Sequence, residues 1–496
     1  MEIKLKHFLL FFGFFVAAKV VFFYLTPAEW GDSYRFIRAG EYLSRFSYPL
    51  DEKRLPFFPL ILSVAFFIRV DPVWWGRFLV LILSILCLIL TFKLGVVFFK
   101  NPKAGFMGML LTAFSPVFFY WTGKIYAEAL FATLTLLTFL VFFEYKGKYK
   151  NFLLGIFCGL SFMTRFEGFL LLLAVFLGFL AGKKLKEAMP FLGSFILISA
   201  PYFIFRFLSS GNFSSSYFLE PSQFPFNLEA VLYFLASLVF LFGFIPFIGF
   251  SSIKKIVDKK KVFFHLPIFV FVGLEVMLAF IWQAAIPRLF VPIIPFVALG
   301  LVQIVSTAPK ISFKDALLYV IMWGLFLFGR FYLRLPFLVI GKGVAIPLFL
   351  SVFYVLLLFF RRKSYLYLLV FAGVFSSLFI AYFFKSVYKT VYQASMFVQA
   401  LEEGKIAYSD ESGVTAWYLR GGKGVFYDGD FSNAGEYKWL LDNNIFYIID
   451  TNEHNEGSKL EVFRDENYKN KFEVVRKFKA RVGTAETSST VYKVIK

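Results

Sequence analysis

Asp32 stands in the run AEWGDSYRF, between Gly31 and Tyr34 and just behind the first long apolar stretch of the chain. A carboxylate at the end of an apolar segment can take the proton of a weak hydroxyl or amine nucleophile, which is general-base work. Asp also commonly caps a helix, here one beginning at Ser33, and on Asp32 alone capping carries the greater weight. Glu128, in KIYAEALFATL, sits near the start of another apolar run, where an ionisable group is costly and tends to serve function. Its plainer alternative is a pair with Lys124, four residues earlier.

FMTRFEGFLLLL puts Arg165 and Glu167 in a tight turn between two short apolar runs, where a functional acid and base or a structural ion pair fits equally. WQAAIPRLFVPIIPFVALGL places Arg288 at the mouth of a span that carries Pro287, Pro292 and Pro295. A guanidinium there can grip a phosphate through two parallel hydrogen bonds, or simply snorkel to the headgroups. Arg54, ahead of Pro56 and Pro59, has the same two readings. His7, His265 and His454 lack paired spacing, and Cys87 and Cys158 lie within apolar runs. Neither a His-built metal centre nor a disulfide is expected.

The elements that must carry these groups are mostly membrane spans. Of 496 residues, 59% are hydrophobic and 17% charged, and Phe occurs 75 times. Soluble domains are far less apolar. Runs long enough to cross a hydrocarbon layer of about 30 Å recur from Phe8 to Phe384. They predict about thirteen spans: residues 8–25, 77–99, 104–121, 126–143, 151–163, 166–181, 188–208, 228–250, 262–282, 288–305, 313–330, 343–360 and 364–384. The opening MEIKLKH and its apolar run read as an uncleaved first span, because no small-residue cleavage site follows Tyr24.

Charge sets the orientation. Lys plus Arg is 52 and Asp plus Glu is 32, a formal excess of +20, yet from Lys385 onward 16 basic residues balance 16 acidic ones. The excess therefore belongs to the membrane part, where short basic loops answer to the positive-inside rule and to anionic lipids. Nucleic acid is not a partner on this reading. Basic clusters at Lys4/Lys6, Lys100/Lys103, Lys146–Lys150, Lys183–Lys186, Lys254–Lys261, Lys310/Lys314 and Arg361–Lys363 fall in every second loop. That side is the cytoplasm, with the N-terminus on it. The loop over 26–76, the loop over 209–227 and the tail after Phe384 then face outward.

The outer loop 26–76 contains GDSYRFIRAGEYLSRF, which reads as an amphipathic helix, and PFFPLILSVAFFIRV, which reads as a short apolar helix at the interface. Beyond Phe384 the composition turns polar. KIAYS, KGVFYD, NIFYIID and KFEVVRKF predict strands, while ESGVTAWYLR and AGEYKWLLDNN predict helices. The fold class expected is an α-helical polytopic membrane protein, residues 1–384, followed by a small extracytoplasmic α/β domain, residues 385–496. On this topology Asp32, Arg54, Glu128, Arg165, Glu167 and Arg288 all converge on the outer face.

The order of these motifs resembles the GT-C superfamily of polyprenyl-phosphate-sugar-dependent glycosyltransferases, close to the protein O-mannosyltransferase and lipid A aminoarabinose transferase group. The resemblance rests on Asp32 with Tyr34, then RLPFFPLIL, WGRFLVLILSILCLILTFKLGVVFF, SPVFFYWTGKIYAEALF, GLSFMTRFEGFLLL and PRLFVPIIPFVALGL. It covers nearly the whole membrane part, in order more than in letters. The resemblance implies that Asp32 acts as, or beside, the catalytic base, and that Arg54, Glu128, Arg165 and Arg288 occupy family-like positions. A single Asp32, with Glu29 three residues earlier, replaces the paired acids often seen there.

The implied reaction is transfer of a glycosyl group from a polyprenyl-phosphate-linked donor to an extracytoplasmic lipid, glycan or protein, with inversion. Arg54, Arg165 and Arg288 are the candidates to hold the donor phosphate, with Asp32, Glu128 and Glu167 as the catalytic set. The sequence establishes no cofactor, and a divalent metal is left open. Membrane lipids and the extracytoplasmic acceptor are the other partners. A transporter or lipid flippase is the rival, but it would place its ionisable groups near the bilayer midplane. A scaffold with a partner-binding tail is the second rival, and the long outer loop with Asp32 argues against it.

Overall fold

A computed structural model describes residues 4–49, 52–211, 259–281, 287–307, 362–401, 404–408, 413–426, 434–453, 470–482 and 485–495, together with residues 317, 321 and 324. The spans expected over 228–250, 313–330 and 343–360 and nearly all of the 209–227 loop lie outside the described residues, isolated positions apart. The chain forms two compact units. The first holds Met1–Lys19 and Ala39–Ile380, the second Val20–Arg38 and Ala381–Lys496.

The helices of the membrane part are α1 (Leu5–Leu25), α2 (Gly31–Ser44), α3 (Phe57–Phe67), α4 (Pro72–Phe99), α5 (Pro102–Ala113), α6 (Pro116–Trp121), α7 (Glu128–Glu144), α8 (Lys150–Thr164), α9 (Gly168–Ala181) and α10 (Leu185–Ser210). After these come α11 (Lys259–Ile281), a 3₁₀ turn (Pro287–Phe290), α12 (Ile294–Thr307) and α13 (Arg362–Phe383). Leu5–Leu25, Pro72–Phe99 and Leu185–Ser209 are long and apolar enough to cross a membrane. Local chemistry fixes the boundaries. Asp71 accepts from Trp74 N–H at 2.8 Å ahead of Pro72, and Asn101 accepts from Lys103 N–H at 2.9 Å ahead of Pro102.

Two crossings depend on missing side chains. A Cβ on Gly95 of α4 would stand 2.6 Å from Gly105 Cα of α5, and one on Gly155 of α8 would meet the Phe191 carbonyl oxygen of α10 at 2.1 Å. The backbones touch there, the close approach that small residues allow between membrane helices.

In the second unit a five-stranded sheet has the order β2-β1-β3-β5-β4, built from β1 (Lys405–Tyr408), β2 (Gly424–Phe426), β3 (Ile445–Thr451), β4 (Phe472–Val482) and β5 (Ala485–Val494). β1 runs parallel to β2 and β3, and β5 is antiparallel to β3 and β4. Alternation splits the strands between two cores. Ala407, Ile445 and Ile448 pack with Leu440 of α16 (Ala434–Asp442), while Ile406, Tyr408, Ile449 and Val491 pack with Ala394 and Val398 of α14 (Lys389–Gln399). A short helix, α15 (Val414–Tyr418), precedes β2. Glu453 caps α14, accepting from Tyr388 N–H at 2.5 Å and from Thr390 Oγ1 at 2.9 Å.

Candidate active site

The span expected over 104–121 is two helices rather than one. α5 stops at Ala113 and α6 opens with Pro116, whose lack of an N–H suits the first helical position. α6 itself stops at Trp121, and the chain turns through 122–127 before α7 begins at Glu128. Broken helices in a membrane must have their freed backbone groups satisfied from within the protein. Lys19 of α1, fully buried, does this, its Nζ donating to the Phe119 carbonyl at 2.5 Å and to Thr122 Oγ1 at 2.9 Å. Ser84 Oγ donates to the Thr122 carbonyl at 3.2 Å.

This break delivers Glu128 to a charged cluster. Glu128 Oε1 accepts from Arg165 Nη1 at 2.5 Å and lies 3.6 Å from Arg288 Nε. Arg165, in extended backbone at the end of α8, also donates to Glu167 through Nε at 3.1 Å and through Nη2. Arg288 sits in the 3₁₀ turn, its guanidinium 4.7 Å from the Tyr126 ring centre and 5.9 Å from that of Trp121. Side-chain exposure rises from 1% at Glu128 through 8% at Glu167 and 11% at Arg165 to 20% at Arg288. The Arg165 pairs are short hydrogen-bonded contacts. The 3.6 Å approach of Arg288 is longer than a hydrogen bond. Of the two cations, Arg288 is the more exposed. Glu275, buried in α11, lies within electrostatic reach of Glu167 and Arg165.

Arg54 forms a different pair, with Nη1 2.8 Å from Glu52 Oε1, and Tyr48 Oη donates to the Arg54 carbonyl at 2.8 Å. Burial holds the Tyr48 hydroxyl well above the usual tyrosine range. Asp32 belongs to the second unit. Helix α2 opens at Gly31, so Asp32 lies in its first turn and is not the cap of a helix starting at Ser33, as the sequence suggested. A carboxylate in that turn favours the helix dipole. Glu29 is fully buried, and its N–H donates to Tyr34 Oη at 3.1 Å. Burial first, and the Tyr418 hydroxyl second, hold the Tyr34 hydroxyl well above its ordinary range. Among the described residues no group of three His, Cys, Asp or Glu is arranged to hold a metal, and Cys87 and Cys158 are buried free thiols.

Residues 53–205, which carry Arg54, Glu128, Arg165 and Glu167, match the family described as dolichyl-phosphate-mannose-protein mannosyltransferase. No curated protein sequence matches the chain. Among solved structures, ArnT from Cupriavidus metallidurans bound to undecaprenyl phosphate aligns over 99% of this chain and 98% of its own, with TM-score 0.63 at 11% identity. The apo state of the same protein aligns over 98% of both chains, with TM-score 0.60 at 12% identity. The chain thus shares the fold of these structures, and its residues 53–205 are similar to that mannosyltransferase family.

Within this fold, four of the six residues expected to converge do so: Glu128, Arg165, Glu167 and Arg288. The pairing of Glu128 with Lys124 gives way to Arg165 and Arg288, because the turn at 122–127 re-aims the chain before α7 starts. Arg54 is engaged with Glu52, and Asp32 is held in the other unit. Sequence reasoning missed Lys19, Glu275 and the aromatic bed of Arg288. Lone charges in AAKVVFF and VGLEVML were the available signal for the first two.

Proposed function

We propose that this protein transfers a glycosyl group, with inversion, from a polyprenyl-phosphate-linked sugar to an acceptor on the outer face of the membrane. The observation that carries the reading is the Glu128–Arg165–Glu167–Arg288 cluster, its two carboxylates buried and its two guanidinium groups half-buried. Departure of a carrier phosphate builds negative charge on its oxygens, and cations already fixed in a low-dielectric site stabilise that charge without reorganising. Arg288 supplies the fork that grips the phosphate, Arg54 stands as a second cation for it, and Arg165, locked between Glu128 and Glu167, sets the geometry. Asp32 takes the acceptor's proton, with Glu29 as the neighbouring alternative. The fold shared with a protein whose structure holds undecaprenyl phosphate supports a carrier of that class.

In this reading residues 1–384 form the catalytic membrane domain of about thirteen spans, and residues 385–496 form a soluble α/β domain outside it. The N-terminus is cytoplasmic and the C-terminal domain extracytoplasmic, on the alternation of the Lys clusters. Purified protein incubated with radiolabelled polyprenyl-phosphate sugars should release label from the carrier when an acceptor-bearing membrane extract is added. Label that stays on every donor offered, while sealed vesicles translocate the intact lipid, would replace this reading with a flippase.

A further inference from the structure

The carboxylates of the first outer loop have their framework in residues nearly 400 positions further along the chain. Tyr34, 2% exposed, places its hydroxyl 3.2 Å from that of Tyr418, and its ring centre lies 5.6 Å from the Tyr418 ring and 6.2 Å from Trp417. The same Tyr34 oxygen accepts the Glu29 N–H at 3.1 Å, so one hydroxyl chain runs from the Glu29 backbone to Tyr418. On the other side of Asp32, the Trp30 ring packs edge-on against Tyr388 at 6.0 Å. Asp32 thus lies between two anchors, and both are held by the part of the second unit that follows Phe384.

Those anchors rest on a continuous support. Tyr418 ends α15, whose N-cap is Gly413, a residue with φ of 83° that stands beside the Gly31 carbonyl. The Tyr418 ring packs on Tyr392 of α14 at 5.0 Å. α14 in turn is capped by Glu453 and joined to β5 through Ser489 Oγ and Thr390 Oγ1, 3.0 Å apart. Sheet, α14, α15 and the Glu29–Tyr34 turn therefore form one packed series inside a single compact unit.

We propose that the C-terminal α/β part is a positioning module for the candidate base, with Tyr418 and Trp417 as positioning residues that fix the Glu29–Tyr34 turn and with it the Asp32 carboxylate. This rests on the glycosyl-transfer reading given above. A carboxylate must stand within hydrogen-bond reach of the proton it accepts, and a shift of about 1 Å in a catalytic group costs on the order of 10²-fold in rate. The module would therefore act on the transfer step and leave affinity for the donor alone.

The test uses the full-length protein in lipid nanodiscs with a polyprenyl-phosphate-linked sugar. Tyr418→Phe removes one hydroxyl, and Tyr437→Phe is its control, because Tyr437 Oη also donates a hydrogen bond in this unit, to the Ile495 carbonyl at 2.5 Å, away from the turn. Expected are a fall of about tenfold or more in single-turnover transfer for Tyr418→Phe at unchanged donor KM, and a change within about twofold for Tyr437→Phe. Trp417→Phe should recover activity that Trp417→Ala loses. Amide exchange at Glu29 should quicken in Tyr418→Phe and Tyr34→Phe, not in Tyr437→Phe. Equal transfer by Tyr418→Phe and Tyr437→Phe overturns the proposal and leaves the glycosyl-transfer reading standing. A wild-type protein that transfers no sugar overturns that reading and the catalytic role of the module, and unchanged Glu29 exchange in Tyr418→Phe then overturns the clamp itself.

Discussion

Two clusters, one in each compact unit, are held by different means. In the first, Glu128, Arg165, Glu167 and Arg288 neutralise one another in direct ion pairs, with a broken span and a 3₁₀ turn bringing them together. In the second, the turn around Asp32 is held by neutral hydroxyls and aromatic rings: Tyr34 on Tyr418 and Trp30 on Tyr388. Charge pairing suits a site surrounded by lipid, where an unpaired charge is expensive and the cations stay loaded for an anion. In the proposed reading the first cluster binds the carrier and the second activates the acceptor.

The contrast breaks most severely if its ion pairs are cut. Arg165→Met leaves Glu128 and Glu167 buried without their shared cation, and a loss of about 3–5 kcal/mol of stability is expected, seen as a large fall in the thermal midpoint in detergent. An unchanged midpoint would mean that the cluster is hydrated. Arg288→Lys keeps the charge but loses the planar fork over Tyr126. Donor binding, measured by titration with polyprenyl phosphate, should weaken by about tenfold, roughly 1.4 kcal/mol, with little change in midpoint. If affinity holds, Arg288 only snorkels. In the second unit, Tyr34→Phe should cost only about 1 kcal/mol, the worth of a neutral hydrogen-bond network rather than of an ion pair. A loss as large as that of Arg165→Met would erase the distinction between the units.

The smallest effect concerns pH. Because the buried Tyr34 hydroxyl is held well above its unfolded value of about 10, the folded state keeps a proton that the unfolded state releases. Its contribution is complete below about pH 10 and declines as pH rises toward the folded value. Wild type should therefore lose stability between about pH 10 and 11 faster than Tyr34→Phe does. Parallel losses would place the hydroxyl in water.

Much of this was legible from local pattern. The two helices expected within residues 26–76 appear as α2 and α3, the Arg165–Glu167 turn lies between α8 and α9, and the four strands expected in the tail are β1 to β4. β5, AETSSTVYKV, escaped notice because its Ser/Thr run lacks apolar alternation, although pairing with β3 and β4 makes it an interior strand of the sheet. The break ahead of α6 was written in Pro116 yet hidden by the apolar residues around it. Pairings over long sequence separation, Glu128 with Arg165 and Tyr34 with Tyr418, leave no periodic trace, so the partition of the charged groups between two units was not readable.

The central claim is that Asp32 accepts the acceptor's proton during sugar transfer from a polyprenyl-phosphate donor. Asp32→Asn keeps size and hydrogen-bonding capacity while removing the basic group. Single-turnover transfer, donor binding and thermal midpoint should be measured on Asp32→Asn beside Glu29→Gln in one nanodisc preparation. Expected is a transfer rate lower by about 10² to 10⁴, with donor binding and midpoint close to wild type and a smaller loss in Glu29→Gln. Full transfer by Asp32→Asn, or an equal loss in Glu29→Gln, would contradict the account and move the base elsewhere.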